Sequence, residues 1–254
     1  MKVLITRPIS ESIELKTILR SVGIRAWSFP ILEFFPSLGL KALSKKIKII
    51  NKNDFIVITS KKAIEYSSNY LKNNYIEWPS HAEYYTIGKG SADFFKKNSG
   101  YIAKYPTKNE NSETLLKIIN LNQIKNKNII ILKGNRGRKL LEKTFKKNGA
   151  NVILIECYQR KIKNINYKIE ILKWKKNNIN TLVITNNEVL QELYKIFYFL
   201  KTEKWFLKCT LLVISERLKY LAKKLGYKNI HIAKNANNQT LLKKLIEIKQ
   251  QKKK

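Results

Sequence analysis

Cysteine and histidine are nearly absent from this chain, with two of each among 254 residues. Cys157 and Cys209 are too few for a disulfide framework, and their spacing matches no zinc or redox motif. A reduced, cytoplasmic setting is therefore expected. Two histidines, His81 and His231, are too few for a His-rich metal centre. The sequence contains no Gly-x-Ser-x-Gly nucleophile elbow and no Gly-Lys-Ser/Thr phosphate loop. No apolar run approaches the roughly 18 residues needed to span a bilayer. The opening Val3-Leu4-Ile5 is followed at once by Thr6-Arg7-Pro8, too early for a signal-peptide core. Neither secretion nor membrane insertion is expected.

Arginine is scarce as well, with 7 residues against 44 lysines. The 51 basic residues face only 18 acidic ones, a formal charge of +33. Such a balance is the usual footprint of a nucleic-acid or anionic-membrane partner. A protein that reads bases, however, favours the planar fork of Arg. Here the Lys pairs are scattered, as at Lys45-Lys46, Lys96-Lys97 and Lys223-Lys224, and the one run is Lys252-Lys253-Lys254. They accompany 26 asparagines and abundant isoleucine. Lys, Asn and Ile all have A/T-rich codons, so most of the charge reads as compositional drift over a solvated surface. No nucleic-acid partner and no membrane partner is expected. A basic nucleic-acid-binding protein stands as the alternative from another class; it requires cations on one face with aromatics free to stack.

What the chain does contain is a repeat. A buried strand at Val3–Thr6 leads into an amphipathic helix through Ile13, Leu15, Ile18, Leu19 and Val22, then Gly23, then a strand at Arg25–Phe29. The same design returns at Ile129–Leu132, Leu140 to Phe145, Gly149 and Val152–Ile155. Gly23 and Gly149 are 126 residues apart. The offset persists from Phe55–Ser60 to Thr181–Asn186, from Gly100-Tyr101 to Gly226-Tyr227, and from Asn111–Lys117 to Asn237–Lys243, without a gap. The fold class expected is α/β: two similar doubly wound parallel-sheet domains with a ligand cleft between them.

Such sheets bind ligands beyond the carboxyl ends of their strands. Those ends carry hydroxyls and amides more than titratable groups: Thr6-Arg7, Thr59-Ser60, Thr185-Asn186 and Ser215. Taken singly, each is most simply a helix cap. Together they would line a polar cleft suited to a multiply anionic ligand. Gly88-Lys89-Gly90 and Gly134-Asn135-Arg136-Gly137-Arg138 resemble turns that cradle anions on backbone N–H groups, or else are plain strand-to-helix turns.

In order along the chain, Ile5-Thr6-Arg7-Pro8, Trp27 to Phe34, Thr59-Ser60, Ile87-Gly88, Lys133 to Arg138, Glu156-Cys157-Tyr158-Gln159-Arg160, Thr185, Ile214 to Leu218 and Asn235 to Asn238 resemble the uroporphyrinogen-III synthase family. The resemblance covers nearly the whole chain. It implies that residues 1–35 and 166–254 form one discontinuous domain and 37–157 the other, with linkers at about 30–36 and 156–166. It also implies a lyase of haem biosynthesis that closes hydroxymethylbilane to uroporphyrinogen III with inversion of ring D. The reaction requires no metal and no cofactor, and it depends mainly on holding a flexible eight-carboxylate substrate in the reactive fold. The resemblance makes Tyr158 the candidate to assist departure of the bilane hydroxyl, or else a packing residue at a domain hinge. Arg7, Thr59, Ser60, Gly88, Ser91, Thr185, Ser215 and Arg217 would bind substrate. Ser91 stands where many members have Thr, and Ser215-Glu216-Arg217-Leu218 departs from the common Gly-Pro-x-Thr pattern, so Arg217 meets either a substrate carboxylate or a surface partner. A monomer, with at most a transient contact with hydroxymethylbilane synthase, is expected. A two-domain small-molecule sensor without turnover is the remaining alternative.

Overall fold

The computed structural model describes residues 1–137 and 139–251. Arg138, expected in the second glycine-rich turn, and Lys252-Lys253-Lys254 lie outside the described residues. In chain order the strands are β1 (Lys2–Ile5), β2 (Arg25–Ser28), β3 (Leu32–Pro36), β4 (Phe55–Ile58), β5 (Glu83–Thr86), β6 (Asn128–Gly134), β7 (Asn151–Ile162), β8 (Thr181–Val183), β9 (Thr210–Val213) and β10 (Ile230–Ile232). They form two five-stranded sheets, ordered β10-β9-β8-β1-β2 and β3-β7-β6-β4-β5. The chain divides into two compact units, one made of Met1–Glu33 with the chain from Lys161 onward, the other of Phe34–Arg160.

The strands are apolar because both faces of a parallel sheet are covered. All four residues of β4 are buried, as are all four of β9. Ile56 and Ile58 pack with Leu43, Leu71 and Phe95 on one face of their sheet. Phe55 and Val57 pack with Leu115, Leu141 and Phe145 on the other, the period-two alternation of a strand. In the first unit, Val3 and Ile5 meet Leu15 and Leu19 of the helix Ile9–Ser21 and Leu241, Leu245 and Ile248 of the helix Asn238–Gln251. Gly23 and Gly149 end their helices with φ of 68° and 80°, a conformation that costs glycine little and other residues more.

The register records the repeat directly. Val3 pairs with Thr181, and Phe55 pairs with Ile129; the first pair becomes the second when Val3 is advanced and Thr181 set back by 126 residues. Lys2 with Arg25 becomes Asn128 with Asn151 when both partners are advanced by 126. Each sheet thus joins the opening strands of one repeat to the later strands of the other. The offset then slips: Phe55 pairs with Glu83, but Thr181 pairs with Thr210, so β9 stands 127 residues after β5. One extra residue thus stands ahead of β9, in a helical connection where an insertion costs little, and it is offset again before Gly226, which like Gly100 has positive φ and stands 126 residues after it.

A side-chain acceptor marks where the two halves of each sheet meet. The Asp54 carboxylate, 5% exposed, accepts from the backbone N–H groups of Asn51 and Asn128, both at 2.8 Å, and from the Asn128 side-chain amide at 3.1 Å. In the other repeat, Asn180 Oδ1 accepts from the Lys2 N–H at 3.1 Å. Both supply a partner to the first donor of an incoming strand.

The largest difference from the sequence pattern is β7. Hydrophobic patterning ends this strand at Ile155, whereas it continues to Ile162. The continuation forms because β3 lies beside it: the Ser37 N–H donates to Cys157 O at 3.2 Å, and the Lys163 N–H donates to Ile31 O at 2.8 Å. Replacing Asp54→Ala orphans donors at the start of β6 and is expected to cost about 1–3 kcal/mol. Urea unfolding measures this, and an unchanged midpoint would show that Asp54 does not hold the register.

Candidate functional site

In the second unit the chain runs from β4 to β5 on one side and from β6 to β7 on the other, so the sheet order reverses between β4 and β6. The backbone beyond their carboxyl ends diverges there and leaves a crevice. A cavity of about 340 Å³ occupies this position, with Thr59 and Ser60, Lys133 and Gly134, and Tyr158 among its walls.

A register shift aims Tyr158 into it. Lys133 pairs with Glu156, but Gly134 pairs with Tyr158, so Cys157 is an extra residue in β7. Bulges of this kind re-aim side chains. Ile155 and Cys157 already face one core by alternation, and the bulge turns Tyr158 to the same side. The ring stacks on Tyr66 at 5.9 Å and lies 5.7 Å from Phe34. Its third wall is backbone: a Cβ on Gly134 would sit 2.6 Å from Tyr158 Cζ. Tyr158 is 7% exposed, and its Oη lies 3.2 Å from Ser60 Oγ. Burial pushes the neighbouring Cys157 thiol up to about 12, so it stays protonated and is no nucleophile near neutral pH.

The strand-end hydroxyls are committed in part to the backbone. Ser60 caps the helix Lys61–Asn73 by accepting from the Ala63 N–H at 3.2 Å. Thr59 Oγ1 donates to Leu132 O at 3.0 Å across the switch point, so toward a ligand it can only accept. Gly88 precedes the helix Lys89–Ser99, and a carboxylate of the chain itself sits on that helix start: Glu110 Oε1 accepts from the Lys89 N–H at 3.2 Å. A Cβ on Gly88 would collide with the Glu110 carboxylate. Ser91 is half-buried in the first turn of the same helix and is not part of the cavity wall.

Arg7, Thr185, Ser215 and Arg217 belong to the other unit and follow β1, β8 and β9. Arg7 is 5% exposed; its guanidinium donates to Glu11 at 2.6 Å and to Asn238. Burial lowers its pKa, and the Glu11 carboxylate opposes that shift. A ligand carboxylate reaches this guanidinium only by exchanging with an internal partner. Thr185 is half-buried. Ser215 caps the helix Glu216–Lys224 by accepting from the Leu218 N–H at 3.2 Å, and Arg217 is exposed in that first turn.

Sequence reasoning passed over Lys133, Arg136 and Arg160 as site residues, yet all three line the cavity. The glycine-rich turn after β6 was the signal for the first two. Glu110 lacked any signal, because only the folded loop brings it back to Gly88. Among the described residues, no helix is long and apolar enough to cross a membrane, and no three His, Cys, Asp or Glu side chains are grouped to hold a metal ion.

Residues 13–243 match the family model described as uroporphyrinogen-III synthase HemD. The chain is 38% identical to uroporphyrinogen-III synthase of Salmonella typhimurium and 36% identical to that of Escherichia coli, in each case over 96% of this chain and all of the relative. A mutant uroporphyrinogen III synthase from the extremely thermophilic bacterium Thermus thermophilus superposes with a TM-score of 0.65 at 12% identity, covering 98% of this chain and 99% of that one. The Helicobacter pylori uroporphyrinogen-III synthetase gives 0.55 at 12% identity, over 97% and 99%. These structures share the two-domain α/β fold. The nucleic-acid-binding and sensor alternatives find no support in these matches. With the family model covering most of the chain and full-length relatives above one-third identity, the chain belongs to the uroporphyrinogen-III synthase family, enzymes of haem biosynthesis.

Proposed function

We propose that this enzyme's tetrapyrrole substrate is hydroxymethylbilane, received after synthesis by hydroxymethylbilane synthase, and that Tyr158 assists its dehydration. The observation that carries this reading is the Tyr158 phenol held against Ser60 on the wall of a switch-point cavity. Loss of the bilane hydroxyl gives an electrophilic azafulvene. Ring D attacks it through its substituted carbon, and the resulting spiro intermediate fragments and recloses with that ring inverted. The uncatalysed bilane closes without inversion, so the protein's task is to favour one folded geometry.

The side chains suit that task. Tyr158 has one O–H. If Ser60 donates to Tyr158 Oη, the phenol proton is left for the departing hydroxyl; in the reverse arrangement it is already spent. A phenol is a poor acid near neutral pH, so the assistance is a hydrogen bond more than a proton transfer. Tyr66, Phe34 and the bare Gly134 backbone hold the ring, which reduces the reorganisation needed in the transition state. Lys133, Arg136 and Arg160 supply cations for substrate carboxylates. A cavity of about 340 Å³ lies at the small end of ligand sites, so it takes part of a linear tetrapyrrole and not all of it. Arg7, Thr185, Ser215 and Arg217 would bind other carboxylates at the strand ends of the first unit. Ser91 contributes through the helix start it shares with Gly88. A cytoplasmic setting fits two buried cysteines that are not joined in a disulfide.

A coupled assay on freshly prepared hydroxymethylbilane, scoring the isomer ratio, tests the reaction. Excess uroporphyrinogen III is expected, and only the uninverted isomer at high enzyme concentration would sink the reading. Tyr158→Phe should lower kcat about tenfold, the equivalent of one lost hydrogen bond of about 1.4 kcal/mol, with little change in the urea midpoint. Unchanged turnover would remove Tyr158 from the mechanism. Gly134→Ala drives a methyl into the Tyr158 ring and should reduce kcat at least as much. If the alanine variant turned over normally, ring placement would not matter.

A further inference from the structure

We infer that Glu110 is a specificity-determining residue, an internal carboxylate that competes with the substrate's own carboxylates for the switch-point cavity. This deepens the functional reading above and rests on it. Three observations combine. Glu110 is part of the cavity wall, together with Lys133, Arg136 and Arg160. Its Oε1 accepts the Lys89 N–H at 3.2 Å, where the backbone of a helix start favours negative charge. The fit is close on the other side too, since only the absence of a side chain on Gly88 leaves room for the carboxylate.

The chemistry of the occupant is therefore the chemistry of the ligand: one carboxylate on a flexible carbon chain. An incoming propionate- or acetate-type group reaches the Lys89 N–H only by taking the place of Glu110. While Glu110 remains, it also offsets part of the field of the three cations. Its exchange weakens binding of a polycarboxylate and keeps the cradle filled when no ligand is present. The other carboxylate on the wall, Glu142, lies in the first turn of its own helix, Leu140–Lys147, and is engaged with Lys146 at 2.8 Å.

Glu110→Gln tests this, because the amide oxygen can still accept from Lys89 while the charge is gone. KM for hydroxymethylbilane is expected to fall about three- to tenfold, with kcat unchanged or lower and the melting temperature retained. Glu113→Gln removes the same charge three residues away, off the cavity wall, and is expected to leave KM as it is. A KM that stays the same or rises in Glu110→Gln, or an equal fall in Glu113→Gln, overturns the inference. Calorimetric titration with 1,2,3,4-butanetetracarboxylate gives a readout that does not depend on turnover, and Glu110→Gln should bind this probe more tightly than the unaltered chain. Tighter probe binding without synthase activity in the unaltered chain would retain Glu110 as a competitor and reject the substrate assignment. Probe binding that is no tighter rejects the role of Glu110 whatever the substrate.

Discussion

The pairing of β4 with β6 is the contact on which the candidate site depends. It brings together residues more than 70 positions apart, from Phe55 with Ile129 to Ile58 with Leu132. It sets the reversal of strand order, and with it the place where the sheet opens. Thr59 ties the two strand ends together by donating to Leu132 O through both its backbone N–H and its hydroxyl. Asp54 performs the corresponding task at the other end of the pair. A crevice between strands fixed at both ends is rigid, which is what positioning a flexible substrate requires. The first unit repeats the arrangement with β8 and β1, where Thr6 donates to Val183 O and Asn180 receives the Lys2 N–H.

Much of this architecture was legible in the sequence because it lies in residues that do one local job. Glycine at a helix end, a hydroxyl or amide at a helix start and three or four apolar residues in a strand each leave a mark without reference to the rest of the fold. The 126-residue spacing appears in the sheets as matching register pairs. What did not show were features created when distant segments meet. Residues 156–162 carry no strong apolar alternation, and they form a strand because β3 presents its backbone to them. The extra residue at Cys157 is a register event, invisible until β6 supplies the partner that reveals it. Tyr158 was singled out by family resemblance, but the reason its ring faces the cavity is this bulge and the bare backbone of Gly134.

A second theme joins the two units. In each, a group suited to binding a carboxylate already holds one from the chain itself: Glu11 on Arg7 in the first, Glu110 on the Lys89 N–H in the second. A buried guanidinium left without a partner is costly, and the first N–H groups of a helix take a partner from the chain, from water or from a ligand. An internal carboxylate removes that cost in the absence of ligand, at the expense of affinity when the ligand arrives. For an enzyme that must also release its product, weaker holding is no defect. Binding substrate and product with equal strength contributes nothing to the chemical step.

The formal charge of +33 is best understood at this scale. At physiological salt the Debye length is about 8 Å, so lysines scattered over a surface act on a distant ligand only weakly. Lys133, Arg136 and Arg160 count for more than most of the 44 lysines because they line the cavity, where field lines are confined. Glu110 counts in the same way and with opposite sign. The chain's excess of positive charge is therefore a poor guide to its affinity for a polyanion; the balance of a few groups at one switch point governs it.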